Sequence, residues 1–410
     1  MSSAREQFPT SPSVPPMLLQ PKRIIMIGFG NYAKKAHFSQ VERYSINNSI
    51  SLEAVLIGGM LADADAAAIR TVNPKCQIVE CKDKDEALAK IESLLVKRNQ
   101  CADLTGIHGA IVSSVPGFQY DLVAKCLEHN LHVLVDKPAV CPPDCCWVEK
   151  QAEEIPVQYE RLVGLADKNK VRLIVGAQRR YEKIYGFILD ARPYLDARRL
   201  TAISACHILG KKWMPTRQPQ SWKQDPKCTG GKLSFSGYHI VDVVMWWLQS
   251  TNPGLVKAEV SAAFRRIQHS KLEQSVAATL SFYTQNSDPD CLVQLDLSFD
   301  GPSDAVLESY RVRTDGWDRI SISRDLPVRS GAVAEVVLQR ETDSSHTVVN
   351  IHGATAANAA ATCDFLEGLI GNPPKNPISD GSSHVNSHRL IGAIYQAGIS
   401  GKNVPVLLIP

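Results

Sequence analysis

The stretch KRIIMIGFGNYAKKAHF, residues 22–38, decides the fold. Its opening run, Ile24 to Ile27, is apolar and rich in β-branched side chains, the signature of a short buried strand. Gly28-Phe29-Gly30 follows, and Asn31, Tyr32 and Ala33 lead into a segment of helical character. In this G-x-G-x-x-A pattern the first glycine permits a tight turn, and the second lets a pyrophosphate approach the backbone. Ala33 stands where a small residue allows helix to pack on strand. The phosphates would lie on free N–H groups at the helix N-terminus, favoured by its dipole. Glycine turns are common punctuation, so the weight rests on the order strand, glycine turn, helix. Gly28, Phe29, Gly30, Asn31 and Tyr32 are therefore candidate cofactor-binding residues.

Working outward, strand and helix patterns alternate. LEAVLIG (52–58) reads as a second strand, and AIRTVNP closes the helix after it. EALAKIESLLVKR (86–98) places Leu88, Ile91, Leu94 and Leu95 on one helical face. Then come HGAIVSSV (108–115), a helix around LVAKCLEHN, LHVLVDKPAV (131–140), a helix around QYERLVGLADKNK, and VRLIVGAQ (171–178). Fully apolar strands between amphipathic helices predict a doubly wound, Rossmann-type parallel sheet covered on both faces. Ligands of such sheets bind at the carboxyl ends of the strands, where Gly28, Ser113, Ser114 and Asp136-Lys137-Pro138 all fall. The second strand ends in Gly58-Gly59-Met60-Leu61, with Asp63 arriving late and no Arg close by. NAD and NADP therefore remain equal alternatives.

From about residue 200 the pattern changes. CLVQLDLSF (291–299) alternates strictly between apolar and polar residues, and KAEVSAAFRRI, SVAATLSFY, DRISISRD and AEVVLQRE behave similarly. Period-two alternation without intervening helices predicts an α+β region with a large, mostly antiparallel open sheet, one face exposed or covered by a partner. The chain divides on this reading into a disordered leader (1–21), a dinucleotide-binding region (22–178) and a substrate and oligomerisation region (179–410). The C-terminal segment is a candidate to pack back on the first region. A substrate would lie in the cleft between the two.

Bulk properties narrow the function classes. At 410 residues, 44% apolar and 21% charged, the chain has the composition of a soluble globular protein of two domains. A net charge of +3 with scattered Lys and Arg leaves no basic stripe for nucleic acid. No apolar run approaches the ~20 residues that span a bilayer, and the N-terminus lacks the regions of a secretory signal. Eleven irregularly spaced cysteines suit reduced thiols and a cytoplasmic location. The cluster Cys141, Cys145, Cys146 lacks zinc spacing, so no metal is expected. His384 and His388 in HVNSH read as a surface helix start.

Four segments, in order, resemble the oxidoreductases named for glucose–fructose oxidoreductase, inositol dehydrogenase and rhizopine catabolism (Gfo/Idh/MocA). LHVLVDKPAV looks like the family's Glu-Lys-Pro strand end, with Asp136 for Glu. GAQRRYEKIY is similar to the segment with paired arginines that leaves the Rossmann domain. SWKQDPKCTGGKLSFSGYHIVD resembles Trp-Arg-x-Asp-Pro, Gly-Gly and D-x-x-x-H-x-x-D, and ISGKNVPVLL the closing strand. The resemblance covers the chain from residue 22 onward. It implies an NAD(P)-dependent enzyme acting on CH–OH or C=O of a small polar, sugar- or polyol-like substrate. Lys137 would lie beside the nicotinamide, His239 would be the acid/base and Asp242 the second acid. Ser113, Ser114 and Asp136 would join the cofactor site, and Arg180, Trp222, Phe235 and Tyr238 the substrate site. A homodimer or homotetramer through the C-terminal sheet is also implied.

Two departures stand out. Phe235 occupies the place of the motif's first Asp, and Lys223 replaces the Arg after the Trp, losing a planar bidentate fork. They keep two alternatives open: a reductase of a less hydroxylated ketone or imine, and a non-catalytic dinucleotide-binding regulator. The plainer readings of the residues also stand beside the functional ones. His239 in an apolar helix could be a hydrogen-bonded core group with Asp242 as its partner, and Arg179 and Arg180 an interdomain salt-bridge pair.

Overall fold

The structure is a computed structural model that describes residues 20–99, 106–190, 199–210, 223, 225–266, 271–285, 287–301, 306–315, 317–325, 333–339, 346–352, 357, 359–373 and 378–409. The expected leader, but for its last two residues, and Trp222 lie outside the described residues.

The first sheet contains β1 (Lys22–Ile27), β2 (Ile50–Gly58), β3 (Gln77–Cys81), β4 (Gly109–Val112), β5 (His132–Asp136) and β6 (Leu173–Gly176). Its order is β3-β2-β1-β4-β5-β6 and every pairing is parallel. Successive residues alternate between two cores. Ile25, Ile27, Val112, Val133, Val135 and Val175 pack on one face, and Ile24, Met26, Ile111, Leu134 and Ile174 on the other. Each fully buried side chain of this kind stabilises the fold by about 1.5–3 kcal/mol. The crossovers carry α1 (Ser39–Ile46), α2 (Asp63–Val72), α3 (Lys84–Asn99), α4 (Pro116–Glu128) and α5 (Glu149–Asn169). The strand order reverses between β1 and β4, which opens a crevice at their carboxyl ends. β3 was not expected from the sequence. QIVEC is a partly exposed edge strand, and its burial does not alternate in the way a half-buried strand requires.

After α6 (Lys183–Asp190) comes the second sheet: β7 (Leu200–Gly210), β8 (Lys257–Arg266), β9 (Glu273–Tyr283), β10 (Cys291–Gly301), β11 (Val306–Thr314), β12 (Trp317–Asp325), β13 (Val333–Gln339), β14 (His346–His352) and β15 (Val404–Leu407). These nine strands run β14-β13-β12-β11-β7-β10-β9-β8-β15, antiparallel except for β10 against β7. One face buries Val293, Leu295, Leu297, Ile203, Tyr310 and Val312, while Thr279, Gln294, Asp296, Ser309 and Arg311 of the other are exposed. Between β7 and β8 lie α7 (Pro226–Thr229) and α8 (Tyr238–Thr251). α8 is buried on nearly every side, and its Trp247 Nε1 donates to Tyr185 O at 2.8 Å.

The chain then returns to the first sheet. α9 (Ala360–Leu369) inserts Phe365, Leu366 and Leu369 beside Ile24 and Ile111. α10 (Val385–Ser400) packs on both α5 and β8 and ends at Gly401, whose φ of +68° suits a left-handed cap. His384 and His388 do not mark a surface helix start: both are fully buried. His388 stacks on Tyr159 with ring centroids 3.6 Å apart, so the apolar side of this helix start faces inward.

Candidate active site

The β1 turn is fixed by close backbone contact. Gly28 has φ +92°, donates its N–H to Leu56 O at 2.8 Å, and would bring a Cβ to 2.1 Å from Ser113 O. No other residue fits there. Gly30 faces open space, with nothing within 4 Å of a Cβ. The first helical bond is Lys34 N to Gly30 O at 3.0 Å, so the N–H groups of residues 31–33 precede the helical ladder. This is a cradle that an anionic pyrophosphate fits. Asn31 and Tyr32 are exposed at its rim. β2 ends in Gly58, Gly59 and a 93% exposed Met60, and the nearby ion pair is Lys34 with Asp65.

A π-helical turn, Ala33–Phe38, follows the cradle and buries His37. Such turns recur at functional sites. His37 Nε2 lies 3.0 Å from Asp136 Oδ1, and Nδ1 lies 2.8 Å from Thr362 Oγ1. The other Asp136 oxygen accepts from Ser113 Oγ. Asp136 thus ties the ends of β4 and β5 to the helix after β1. Ser114 stands next to this knot, its carbonyl accepting from Gln119 Nε2 at 3.1 Å.

Lys137 follows Asp136 through the strand end. Its Nζ donates to Phe235 O at 2.7 Å and lies 4.8 Å from the Phe235 ring centroid. Burial lowers its pKa to about 8; Asp136 opposes the shift, while Arg179 and Lys223 add to it. Phe235 belongs to a second π-helical turn, Leu233–Gly237, which runs directly into α8 and His239. His239 is 9% exposed, and its Nδ1 has no hydrogen-bond partner among the described residues. Burial and the charges of Lys137 and Arg179 hold its imidazole well below the usual histidine range. It is neutral at pH 7 and able to accept a proton.

Three expected roles are corrected by this geometry. Asp242 neither orients His239 nor opens to a substrate. It is 1% exposed and its carboxylate receives Arg180 Nε at 2.9 Å, Arg180 Nη2 at 2.7 Å, His384 Nδ1 at 2.8 Å and Ser387 Oγ at 2.9 Å. Burial works to raise its pKa, but Arg180 and His384 override it and hold the carboxyl well below the usual range. Arg180 is equally committed and cannot clamp a substrate. It is 2% exposed and also donates to Ile378 O, Ser383 Oγ and Ser383 O. Tyr238 is fully buried, with its hydroxyl 3.1 Å from His384 Nδ1, so it is not open to a substrate.

The structure adds Glu182, Tyr185, His207 and Glu308, which the sequence reading passed over, around Arg179, which it gave as one of a salt-bridge pair. Arg179 donates to Glu182 Oε1 at 2.8 Å and to Glu308 Oε1 at 2.5 Å, and Tyr185 donates to the other Glu308 oxygen. Burial disfavours the Arg179 charge, yet Glu308 and Glu182 hold it. His207 pairs with Glu308 across β7 and β11, with Nδ1 3.6 Å from Glu308 Oε1 and Nε2 3.5 Å from Ser236 Oγ. A signal for both existed. In VLESYRVRT the inward positions are Glu308, Tyr310, Val312 and Thr314, so a carboxylate stands on an apolar face. The cysteine cluster has a packing role. Cys141 Sγ donates to Thr229 O at 2.6 Å and Cys145 Sγ to Gly230 O at 3.3 Å, seating the loop after Lys137 on the turn before Phe235.

No family model matches the sequence, and no curated protein does. Solved structures do match. Aldose–aldose oxidoreductase from Caulobacter crescentus, complexed with glycerol, is 13% identical with a TM-score of 0.65, covering 94% of this chain and 99% of that one. Levoglucosan dehydrogenase, in complex with NADH and L-sorbose, is 11% identical with a TM-score of 0.67, covering 95% and 100%. A 3-ketoreductase from Actinomadura kijaniata, in complex with NADP, is 15% identical with a TM-score of 0.63, covering 91% and 96%. At these identities the likeness carries the fold alone: the chain shares the two-sheet fold of these oxidoreductase structures.

Proposed function

We propose that the protein is an NAD(P)-dependent oxidoreductase that moves a hydride to or from a carbinol or carbonyl carbon of a small polar, hydroxyl-bearing substrate. The observation that carries this reading is the meeting of three features: a glycine cradle at β1, the half-buried Lys137 at the β5 end, and a neutral His239 with an unspent ring nitrogen. The solved structures of like fold held with NADH or NADP support it.

A bound nicotinamide would supply the hydride acceptor or donor, held by the turn at Gly28–Ala33 and the ends of β4 and β5. The protein supplies the rest. His239 accepts the hydroxyl proton as the carbinol C–H leaves with its electron pair, and returns it in the reverse direction. Lys137 holds the oxygen as negative charge grows on it, in a site that excludes water. Asp136, fixed by His37 and Ser113, sets the position of the Lys137 backbone. Arg180 and Asp242 form the buried brace that holds α8 against the segment after β6.

Lys137→Ala and His239→Ala are each expected to cut turnover by at least ~100-fold, the scale of a lost charge stabiliser or acid/base. Steady-state rates on a substrate panel check this, and near-normal rates in both variants overturn the reading. Nicotinamide bound but never oxidised or reduced by any substrate points instead to a regulatory role. The exposed face of the nine-stranded sheet is the surface proposed for a homodimer or homotetramer, which sedimentation velocity measures. Among the described residues no helix is long and apolar enough to cross a membrane.

A further inference from the structure

In a doubly wound sheet the adenosine ribose of a dinucleotide lies at the end of the second strand. An acid there accepts from its 2′-hydroxyl, or a cation holds a 2′-phosphate. β2 ends with neither. It closes in Gly58, followed by Gly59, and nothing lies within 4 Å of a Cβ built on either. Met60 beyond them is 93% exposed, so this strand end offers bare backbone and open space. The first charged side chains after Gly58 are Asp63 and Asp65, in the first turn of α2, and the first cation is Arg70, exposed in the last turn.

A lysine reaches this opening from the other side. Lys34 follows the cradle, with its N–H bonded to Gly30 O at 3.0 Å, and its Nζ lies 5.8 Å from the centroid of the Phe29 ring. That ammonium pairs with Asp65. The pair thus spans from the glycine turn of β1 to the helix after β2, beside the bare strand end. The Asp65 side chain is 22% exposed, so the lysine fixes its carboxylate and leaves it open to a ligand. Lys34 is matched by that carboxylate, and the positive end of the α2 dipole is answered by the two acids of its first turn.

We infer that Asp65, held by Lys34, reads the adenosine ribose and makes the protein prefer NAD(H) to NADP(H). This rests on the oxidoreductase reading and narrows its cofactor. The carboxylate accepts from a ribose hydroxyl, a charge-assisted hydrogen bond stronger than a neutral one. A 2′-phosphate would meet the same carboxylate, with Asp63 in the same turn, and like charges repel.

The test uses the full chain, titrated with NADH and with NADPH at one ionic strength and followed by cofactor fluorescence. NADH is expected to bind at least ~10-fold more tightly, the scale of one charge-assisted hydrogen bond. Asp65→Asn removes the negative charge and releases Lys34, so NADH should weaken and NADPH tighten until the two differ by less than ~3-fold. Lys34→Met leaves the carboxylate in place and should keep NADH the tighter ligand. A partly exposed ion pair contributes little to stability, so both variants should melt close to the parent. Equal or tighter binding of NADPH by the parent overturns the inference. So does an NADH preference that Asp65→Asn leaves intact or that Lys34→Met reverses. In those cases nicotinamide binding still stands, and the oxidoreductase reading survives. If neither nicotinamide binds, that reading falls and this inference with it.

Discussion

At the scale of single residues, the proposed chemistry depends on two groups made unlike their free forms. Lys137 titrates at about 8 because it is buried, and His239 titrates well below its usual range because it is buried near other positive charges. If the charged form of Lys137 holds the reacting oxygen, kcat/KM falls as pH rises through about 8. It shows no histidine limb near neutrality. A pH–rate profile checks this, and Lys137→Arg should move the alkaline limb upward. The same shift sets a stability effect. Lys137 in the folded protein gives up its proton before it would in the unfolded chain, so it penalises folding below about 8, and stability rises between about 8 and the ordinary lysine value of 10.5. Lys137→Met should therefore melt higher than the parent at pH 7 while losing turnover. Lys137, His239 and Phe235 were legible because each falls in a motif. Asp242 was misread because its partners His384 and Ser387 come from a distant segment that no local spacing announces.

At the scale of elements, two π-helical turns shape the cleft. Ala33–Phe38 delivers His37 to Asp136, and Leu233–Gly237 presents the Phe235 carbonyl to Lys137. Neither turn has a sequence signature, because an inserted residue leaves the apolar pattern nearly intact. The start of α5 was hidden differently. Pro156 lies inside the helix, and a proline in a helical pattern normally marks an end. The turn at Gly28 was fully legible, since only glycine permits its φ and its contact with Ser113. Gly28→Ala adds a Cβ that meets this carbonyl and costs about 1–3 kcal/mol of backbone strain. The expected outcome is loss of nicotinamide binding, measured by titration, with the far-ultraviolet circular dichroism retained. The Arg180–Asp242 brace makes the opposite prediction. Arg180→Met leaves a buried carboxylate without its cation and should destabilise the fold by about 3–5 kcal/mol, read by denaturant unfolding. Below the melting transition the variant should still turn over substrate.

At the scale of the whole molecule, the division into a parallel sheet and a mostly antiparallel one was readable from hydrophobic period alone. Continuous apolar strands between helices give the first, and strict alternation gives the second. The return of α9 to the first sheet was only a candidate in the sequence. Its buried face, Ala361, Phe365, Leu366 and Leu369, reads as a helix but names no partner. What the assembly achieves is placement. Lys137 arrives at the end of a strand in one sheet and His239 on a helix covering the other, and the Phe235 carbonyl joins the two. The central claim is that this junction faces a nicotinamide. Titration of the protein with NADH and with NADPH, followed by cofactor fluorescence, tests it most directly. Saturable binding of at least one of them, abolished by Gly28→Ala, is the predicted result, and a folded protein that binds neither at millimolar concentration would contradict the account.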